Sequence, residues 1–321
     1  MAEQDWIRRY FAPLAAAPGA ARLTDDTAQL SPATGPVVIT TDAMVEGVHF
    51  LGSDPIDSIA RKLVRVNVSD ILASGAEPAE ALLTLGWPSG GSEGELAGFA
   101  AALGEELGLW GASLIGGDTV TSPGGLFVSL TLTGRCLGAA PIRRGGASAG
   151  DDLWVTGEIG GPRRGFLARA AGEASPWIAS LRIPVLPPVS AAGLLVRHAS
   201  AAMDVSDGLL GDAGTLAGAS GAGAEIALES VPFAGGASCL AERVDLATWG
   251  DDYQLLFASR SENAAGLLAD ARELGIRISR IGRIRAEPGL AATFENHPVN
   301  LPETVAYQHG WYRNVCHSPI K

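Results

Sequence analysis

The chain has 321 residues, 47% of them hydrophobic and 18% charged, which is too long for one simple core and ordinary for a globular protein of two domains. A formal net charge of −12 opposes binding to nucleic acid or to an anionic membrane, and no run of about 18 apolar residues is present to span a bilayer. The three cysteines, Cys136, Cys239 and Cys316, are far apart and form no CxxC pair, which argues against a disulfide framework and a structural zinc site and fits a reducing cytoplasm.

In chain order, the first segment is RRYFAPLAAAPGAA. It loosely resembles an export signal, but Glu3 and Asp5 precede its arginines and Pro13 and Pro18 interrupt it, so export is not expected. VVITTDAMVEGVHF, from Val37, reads as a buried strand that turns polar at Thr40. A helix of about five turns follows between the start signals Asp54 and Asp57 and the stop signals Gly75 and Pro78. Ile59, Leu63, Val66 and Ile71 mark its apolar side, and Asn67 and Asp70, three apart, share a face. Residues 95–109 read as a second helix ending at Gly111. LFVSLTLTGRCLG alternates as a strand, with Leu126, Val128, Leu130 and Leu132 on one side and Ser129, Thr131 and Thr133 on the other.

The Gly-rich stretch RRGGASAGDD places a domain boundary near residue 148, giving domains 1–148 and 149–321. The second half alternates strands and helices: DLWVTG, a helix near 162–171, AAMDVSDG, a helix to about 220, AEIALES, DDYQLLFAS, a helix near 261–274, and IRISRIGRI. Together these elements make an α/β (α+β) protein of two domains.

Several phosphate chemistries are excluded. The only lysines, Lys62 and Lys321, lie in no GxxxxGK[ST] loop, HRD and DFG are absent, and HExxH does not occur. What remains is a scatter of aspartates at polar strand ends and loops: Asp25 and Asp26, Asp42 after Thr40 and Thr41, Asp70, Asp118, Asp204 and Asp207, and Asp251 and Asp252. Oxygen-only donors favour hard cations, and magnesium takes one or two carboxylates together with substrate phosphates. Asp204 and Asp207, three apart in MDVSDGLLGD, could face bridging cations. Each motif alone is equally an ordinary turn or cap, and Asp207 before Gly208 could be a helix N-cap. Asp70, inside an apolar helix, needs a partner.

TTDAMVEGVHF, NVSDILASGAEP, LIGGDTVTSP, DVSDGL and GDDYQLLF follow one another in an order and spacing that resembles the thiamine-monophosphate kinases, in the superfamily of aminoimidazole ribonucleotide synthetase. The resemblance spans nearly the whole chain. It implies transfer of a phosphoryl group from ATP to thiamine phosphate, directly and in line between metal-bridged phosphates. It further implies several magnesium ions with a monovalent cation such as potassium, an N-terminal ATP- and metal-binding domain whose sheet pairs in a homodimer, and a C-terminal α/β domain that closes the site. By the same resemblance, Asp26, Thr40, Thr41, Asp42, Asp70, Asp118, Asp204 and Asp207 match metal-site positions, with Asp42, Asp70 and Asp118 the residues on which transfer depends. Gly117, Arg144 and Ser206 match ATP contacts. His49, Asp251 and Trp311 match positions beside thiamine phosphate. Trp110 stands where the family has Tyr, and a core role is expected for it.

Two motifs depart from the family. Thr24 precedes Asp25 where glycine is usual, and Gly250-Asp251-Asp252-Tyr253-Gln254 stands for Gly-Glu-Asp-Tyr-Glu. The alternatives are another ATP-dependent synthetase of the superfamily, or a nucleotide or thiamine phosphate sensor without turnover. Against two such synthetases stand the absence of a cysteine before Cys136 and the position of Cys316 five residues short of the end.

Overall fold

A computed structural model of the chain describes residues 3–25 and 27–307. Contacts divide it into two units, one made of residues up to Ile71 with Ala76–Ala139, the other of Leu72–Gly75 with the chain from Ala140 onward. Among the described residues no helix is long and apolar enough to cross a membrane.

The first unit opens with a short helix α1 (Glu3–Trp6) and irregular helical turns to Leu23. Strand β1 (Val37–Val45), helix α2 (Ile56–Ala73), strand β2 (Ala76–Pro88), helix α3 (Glu93–Leu109), and strands β3 (Ser113–Ser122) and β4 (Phe127–Cys136) follow. The sheet order is β1-β4-β2-β3, antiparallel except for the β2–β3 pair. Helix α2 lies where the start and stop signals place it, and its marker residues Ile59, Leu63, Val66 and Ile71 are all buried. Helix α3 begins at Glu93 rather than 95 because Ser92 caps it: the Ser92 hydroxyl accepts the Glu95 N–H at 3.1 Å, and the Glu95 carboxylate accepts the Ser92 N–H at 2.9 Å.

Strand β4 buries Val128, Leu130 and Leu132 as its alternation requires, and Leu126 just before it, but Thr133 is buried as well. The β2–β4 register shifts between Pro78 and Ala81, and the Thr133 hydroxyl meets the backbone of Glu80 there, 3.1 Å from both its N–H and its carbonyl. Trp110 is a core residue: it is buried, and its indole N–H donates to Glu106 at 2.9 Å. Glu106, fully buried, also accepts from Arg65 at 2.7 Å and Arg61 at 3.1 Å, locking α2 to α3.

The second unit contains β5 (Asp152–Thr156), α4 (Gly161–Ala171), α5 (Trp177–Arg182), α6 (Ser190–His198), β6 (Ala201–Asp204), α7 (Leu209–Ala219), β7 (Gly223–Ala227), α8 (Leu240–Thr248), β8 (Leu255–Ser259), α9 (Ala264–Glu273), β9 (Ile278–Arg285), β10 (Gly289–Phe294) and β11 (His297–Pro298). They form a seven-stranded sheet in the order β11-β10-β7-β9-β5-β8-β6. The strands β5, β6 and β8 are wholly buried, and Leu153, Val155, Met203 and Leu256 join Leu209, Leu216 and Ile226 in one core. The strand expected from Asp251 starts only at Leu255, because Asp251 (φ 71°) and Tyr253 (φ 51°) are left-handed and cannot extend a ladder.

Glu106→Ala is expected to lower stability by about 3 kcal/mol in urea denaturation, because it leaves the buried Trp110 N–H unpaired and takes the shared carboxylate from two partly exposed arginines.

Candidate functional site

Strand alternation sorts the first unit's polar residues onto two faces. Thr40 and Asp42 point toward α2, and Thr41 points the other way. The Thr40 hydroxyl donates to Asp70 at 2.5 Å, and the Asp42 backbone N–H donates to the Asn67 side-chain oxygen at 3.1 Å. Asn67 and Asp70 do share one helix face, and that face meets β1. Burial first, and then the negative charge of Asp70, push the Asp42 carboxyl up to about 6. Thr41 faces its β4 neighbours, accepting from the Thr131 hydroxyl at 3.1 Å.

Asp118 sits in β3 after Gly117, whose φ of 155° and close approach to β2 leave no room for a side chain: a Cβ would lie 2.0 Å from the Leu83 carbonyl oxygen. The register puts Asp118 in a row with Thr84, Ser129 and Ala43, whereas Asp42 is in the row of Leu130, Leu83 and Gly117. Asp118 is therefore on the exposed face, away from the Asp42–Asp70 pair, and its carboxylate accepts the Thr119 N–H at 2.9 Å. His49 closes the turn after β1. Its Nδ1 accepts the Val45 N–H at 3.0 Å, which places the ring proton on Nε2, and its carbonyl receives the buried Lys62 ammonium at 3.3 Å. Thr24 has φ −107°, so that position does not require glycine; the left-handed residues are Ala21, Arg22 and Leu23 just before it.

In the second unit Asp204 ends β6 and is buried, Ser206 is half-buried, and Asp207 is exposed. Helix α7 is capped at Gly208, not by the Asp207 side chain. The acceptor is Asp212, whose Oδ2 takes the N–H of Asp207 at 3.1 Å and of Gly208 at 3.2 Å. Burial and the Asp207 charge push the Asp212 carboxyl up to about 7, against those two hydrogen bonds and the charge of Arg144. Arg144 itself is exposed. The loop before β8 is tied to the same turn: the Asp251 N–H donates to Ser206 at 2.9 Å and the Tyr253 N–H to Val205 at 2.7 Å. A Cβ on Gly250 would stand 2.1 Å from the Ser206 carbonyl oxygen, so only glycine lets the two loops touch. The Tyr253 hydroxyl donates to Asp251 at 3.2 Å. Asp26 and Trp311 lie outside the described residues.

Sequence reasoning assigned no role to Asp212 or to Asp252. Asp212 carried a usable signal, an acid in the first turn of the helix that opens after DVSDG. Asp252, buried with its carboxyl pushed well above the usual range, mainly by burial, could not be told from Asp251 by pattern.

The donors fit a hard cation. Asp42, Asp70 and Thr40 offer oxygen alone, and a half-buried carboxyl raised by desolvation and then by its neighbour's charge is one that a cation would return to the anionic form. Among the described residues no three His, Cys, Asp or Glu side chains converge as a closed metal site.

Fold and motif positions together define an AIR synthase related protein: the family's N-terminal domain matches residues 24–136 and its C-terminal domain residues 148–295. A thiamine-monophosphate kinase of Caulobacter vibrioides is 39% identical over 96% of this chain and 91% of its own length. The crystal structure of the thiamine-monophosphate kinase from Stenotrophomonas maltophilia superposes with a TM-score of 0.77 at 31% identity, covering 86% of this chain and 91% of that one. AaThiL, solved in complex with AMPPCP and TMP, superposes with a TM-score of 0.73 at 27% identity, covering 88% and 91%. The chain belongs to the thiamine-monophosphate kinase family.

The raised Asp42 carboxyl has a consequence for stability. The native state holds its proton up to about pH 6 while the unfolded chain releases it near 4, so this group's contribution to stability is full below about pH 4 and is lost as pH rises to 6. In metal-free protein, Asp42→Asn is expected to be more stable than wild type at pH 7, by on the order of 1–2 kcal/mol, with the gap closing toward pH 4. Urea denaturation in chelator across that range checks it.

Proposed function

We propose that the chain phosphorylates thiamine phosphate with ATP, giving thiamine diphosphate and ADP. The observation that carries this reading is the pairing of Asp42 with Asp70 against α2, with Thr40 and Asn67 holding both in place. Relatives across nearly the whole chain are thiamine-monophosphate kinases, and one was solved with an ATP analogue and TMP.

Acceptor and donor are both polyanionic, so the reaction is limited by charge and position more than by bond-making power. Magnesium ions, when bound, neutralise the phosphates and lower that repulsion. Asp42, Asp70 and Asp118, with Asp26, Thr40, Thr41, Asp204 and Asp207, would hold them, and a monovalent cation such as potassium belongs to the same proposal. Gly117 and Ser206 would meet the nucleotide, and Arg144 would add positive charge along the polyphosphate. His49, with its proton on Nε2, presents a donor to the substrate side, where Asp251 and Trp311 are also assigned. The acceptor phosphate oxygen is already a nucleophile near neutral pH, so transfer would be direct and in line, without a general base or a covalent enzyme intermediate.

In this reading domain 1–148 binds ATP and metal and forms the dimer, and domain 149–321 closes the site in a cytoplasmic enzyme. The exposed sheet face supports a homodimer: Val37, Ile39, Val45, Leu82 and Val120 are apolar and between 39% and 68% exposed, in rows that share one face.

Pure protein with MgATP and thiamine phosphate is expected to form thiamine diphosphate, followed by chromatography, and to form none from thiamine. Absence of product with ATP binding intact would favour a sensor or a sister synthetase. Asp42→Asn and Asp118→Asn are each expected to abolish transfer with the fold intact, and near-normal turnover would remove that residue from the metal set. Trp311→Ala should raise the KM for thiamine phosphate more than that for ATP, and equal effects would point to packing of the tail.

A further inference from the structure

The turn that follows β1 carries His49 and is held from two sides by charged groups. From α2, Lys62 reaches inward: it is 3% exposed, and its Nζ donates to the His49 carbonyl at 3.3 Å. From the other side, the Leu126 N–H at the start of β4 donates to the Glu46 carboxylate at 2.8 Å. Gly52 and Gly125 make the space for that carboxylate, since a Cβ on them would lie 2.4 and 2.6 Å from its two oxygens. The backbone closes on itself between these anchors, with the Gly47 N–H donating to the Phe50 carbonyl at 2.8 Å and the Phe50 ring buried.

Lys62 is the unusual member. Lysine is among the residues least often buried, and an ammonium out of water must meet fixed acceptors. Its helix neighbours Ile59, Leu63 and Val66 are apolar and buried, so an apolar side chain would extend that packing more simply. Lys62 and Asp70 stand eight apart on one stripe of α2, about 12 Å along the helix axis. One rigid element therefore holds a carboxylate against Thr40 at one point and an ammonium against the His49 backbone two turns away. The His49 N–H donates to the Val45 carbonyl at 3.0 Å, so the peptide planes on both sides of the ring are fixed. With Nδ1 engaged by the Val45 N–H, the ring keeps one orientation and one tautomer.

We propose that Lys62 and Glu46 are positioning residues for the phosphoryl transfer: they hold the turn so that the His49 Nε2–H meets thiamine phosphate at a set distance from the Asp42–Asp70 pair. The inference rests on the kinase reading above. Neither side chain touches a reacting group in this assignment. The ammonium meets a backbone carbonyl and the carboxylate a backbone N–H, and both act through the ring that the turn presents. A donor held in place before the substrate arrives costs less ordering when it binds, which lowers the substrate concentration needed.

The test removes each anchor separately, with Lys62→Met and Glu46→Ala, so that a failure of one variant to fold leaves the other to decide. Each is expected to raise the KM for thiamine phosphate about tenfold, with kcat changed by less than about twofold and the KM for ATP unchanged. His49→Ala should raise the same KM, and the double variant His49→Ala/Lys62→Met should be no worse than His49→Ala alone, because both act through one ring. Additive losses, equal rises in both KM values, or no rise in either single variant would overturn the assignment. Nitrogen-15 NMR of the ring, assigned by the signal missing in His49→Ala, gives a readout that needs no turnover. Wild type should show the Nε2–H tautomer, and both anchor variants a mixture of tautomers. An unchanged tautomer in both overturns the positioning role whatever the kinetics. The two readings stay apart: wild type without turnover but with the tautomer lost in both variants refutes the kinase and keeps the anchors, and turnover with ring and KM unchanged in both variants does the reverse.

Discussion

A carboxylate taken out of water beside another carboxylate must either hold a proton or meet a cation, and the polar architecture of this chain follows from that constraint. Asp42 and Asp70 approach each other because β1 and α2 are packed rigidly, through Thr40 on one and Asn67 on the other. Neither contact removes the charge. Asp212 repeats the arrangement in the second unit, where it is buried and spends its acceptor oxygen on the N–H groups that open α7. Each unit thus builds an apolar layer first and sets its acids at the margin of that layer, where a polyphosphate and its counter-ions would be the groups to restore the charge.

Much of this order was legible in the sequence, and the reason is local. Helix α2 has start signals, stop signals and a clean apolar side, and β4 alternates over its whole length. The Asn67–Asp70 face needed only helical spacing. Strands β2 and β3 were not readable in the same way, because glycine and proline within them serve sheet packing: Gly117 allows β3 to approach Leu83, and Pro78 stands at a register shift. The short helices α5, α6 and α8 flank Pro-rich or Gly-rich stretches and carry no caps that a pattern would reveal. The separation of Asp118 from Asp42 was hidden as well, since it depends on the register of four strands and on no local motif.

Backbone strain marks where the sequence was hardest to interpret. The run Ala21–Leu23 and the pair Asp251 and Tyr253 adopt left-handed angles with side chains that disfavour them. Such angles persist only where surrounding contacts impose them. For Asp251 and Tyr253 those contacts are hydrogen bonds to the Val205–Ser206 turn, so the two loops form one unit of structure although they are far apart in sequence.

Strand β1 is the edge of its sheet, and its residues alternate between the two roles of the unit. Thr40 and Asp42 face α2, while Ile39, Thr41 and Ala43 form the outer surface. A slip of one residue against β4 would exchange these sets, turning the acid outward and an isoleucine inward. Such a misfolded species could keep its helices and most of its buried area, and so pass tests of secondary structure and compactness while being unable to gather charge at the site. Quality control of this chain, in the cell or in refolding, is therefore a question of register fidelity along nine residues.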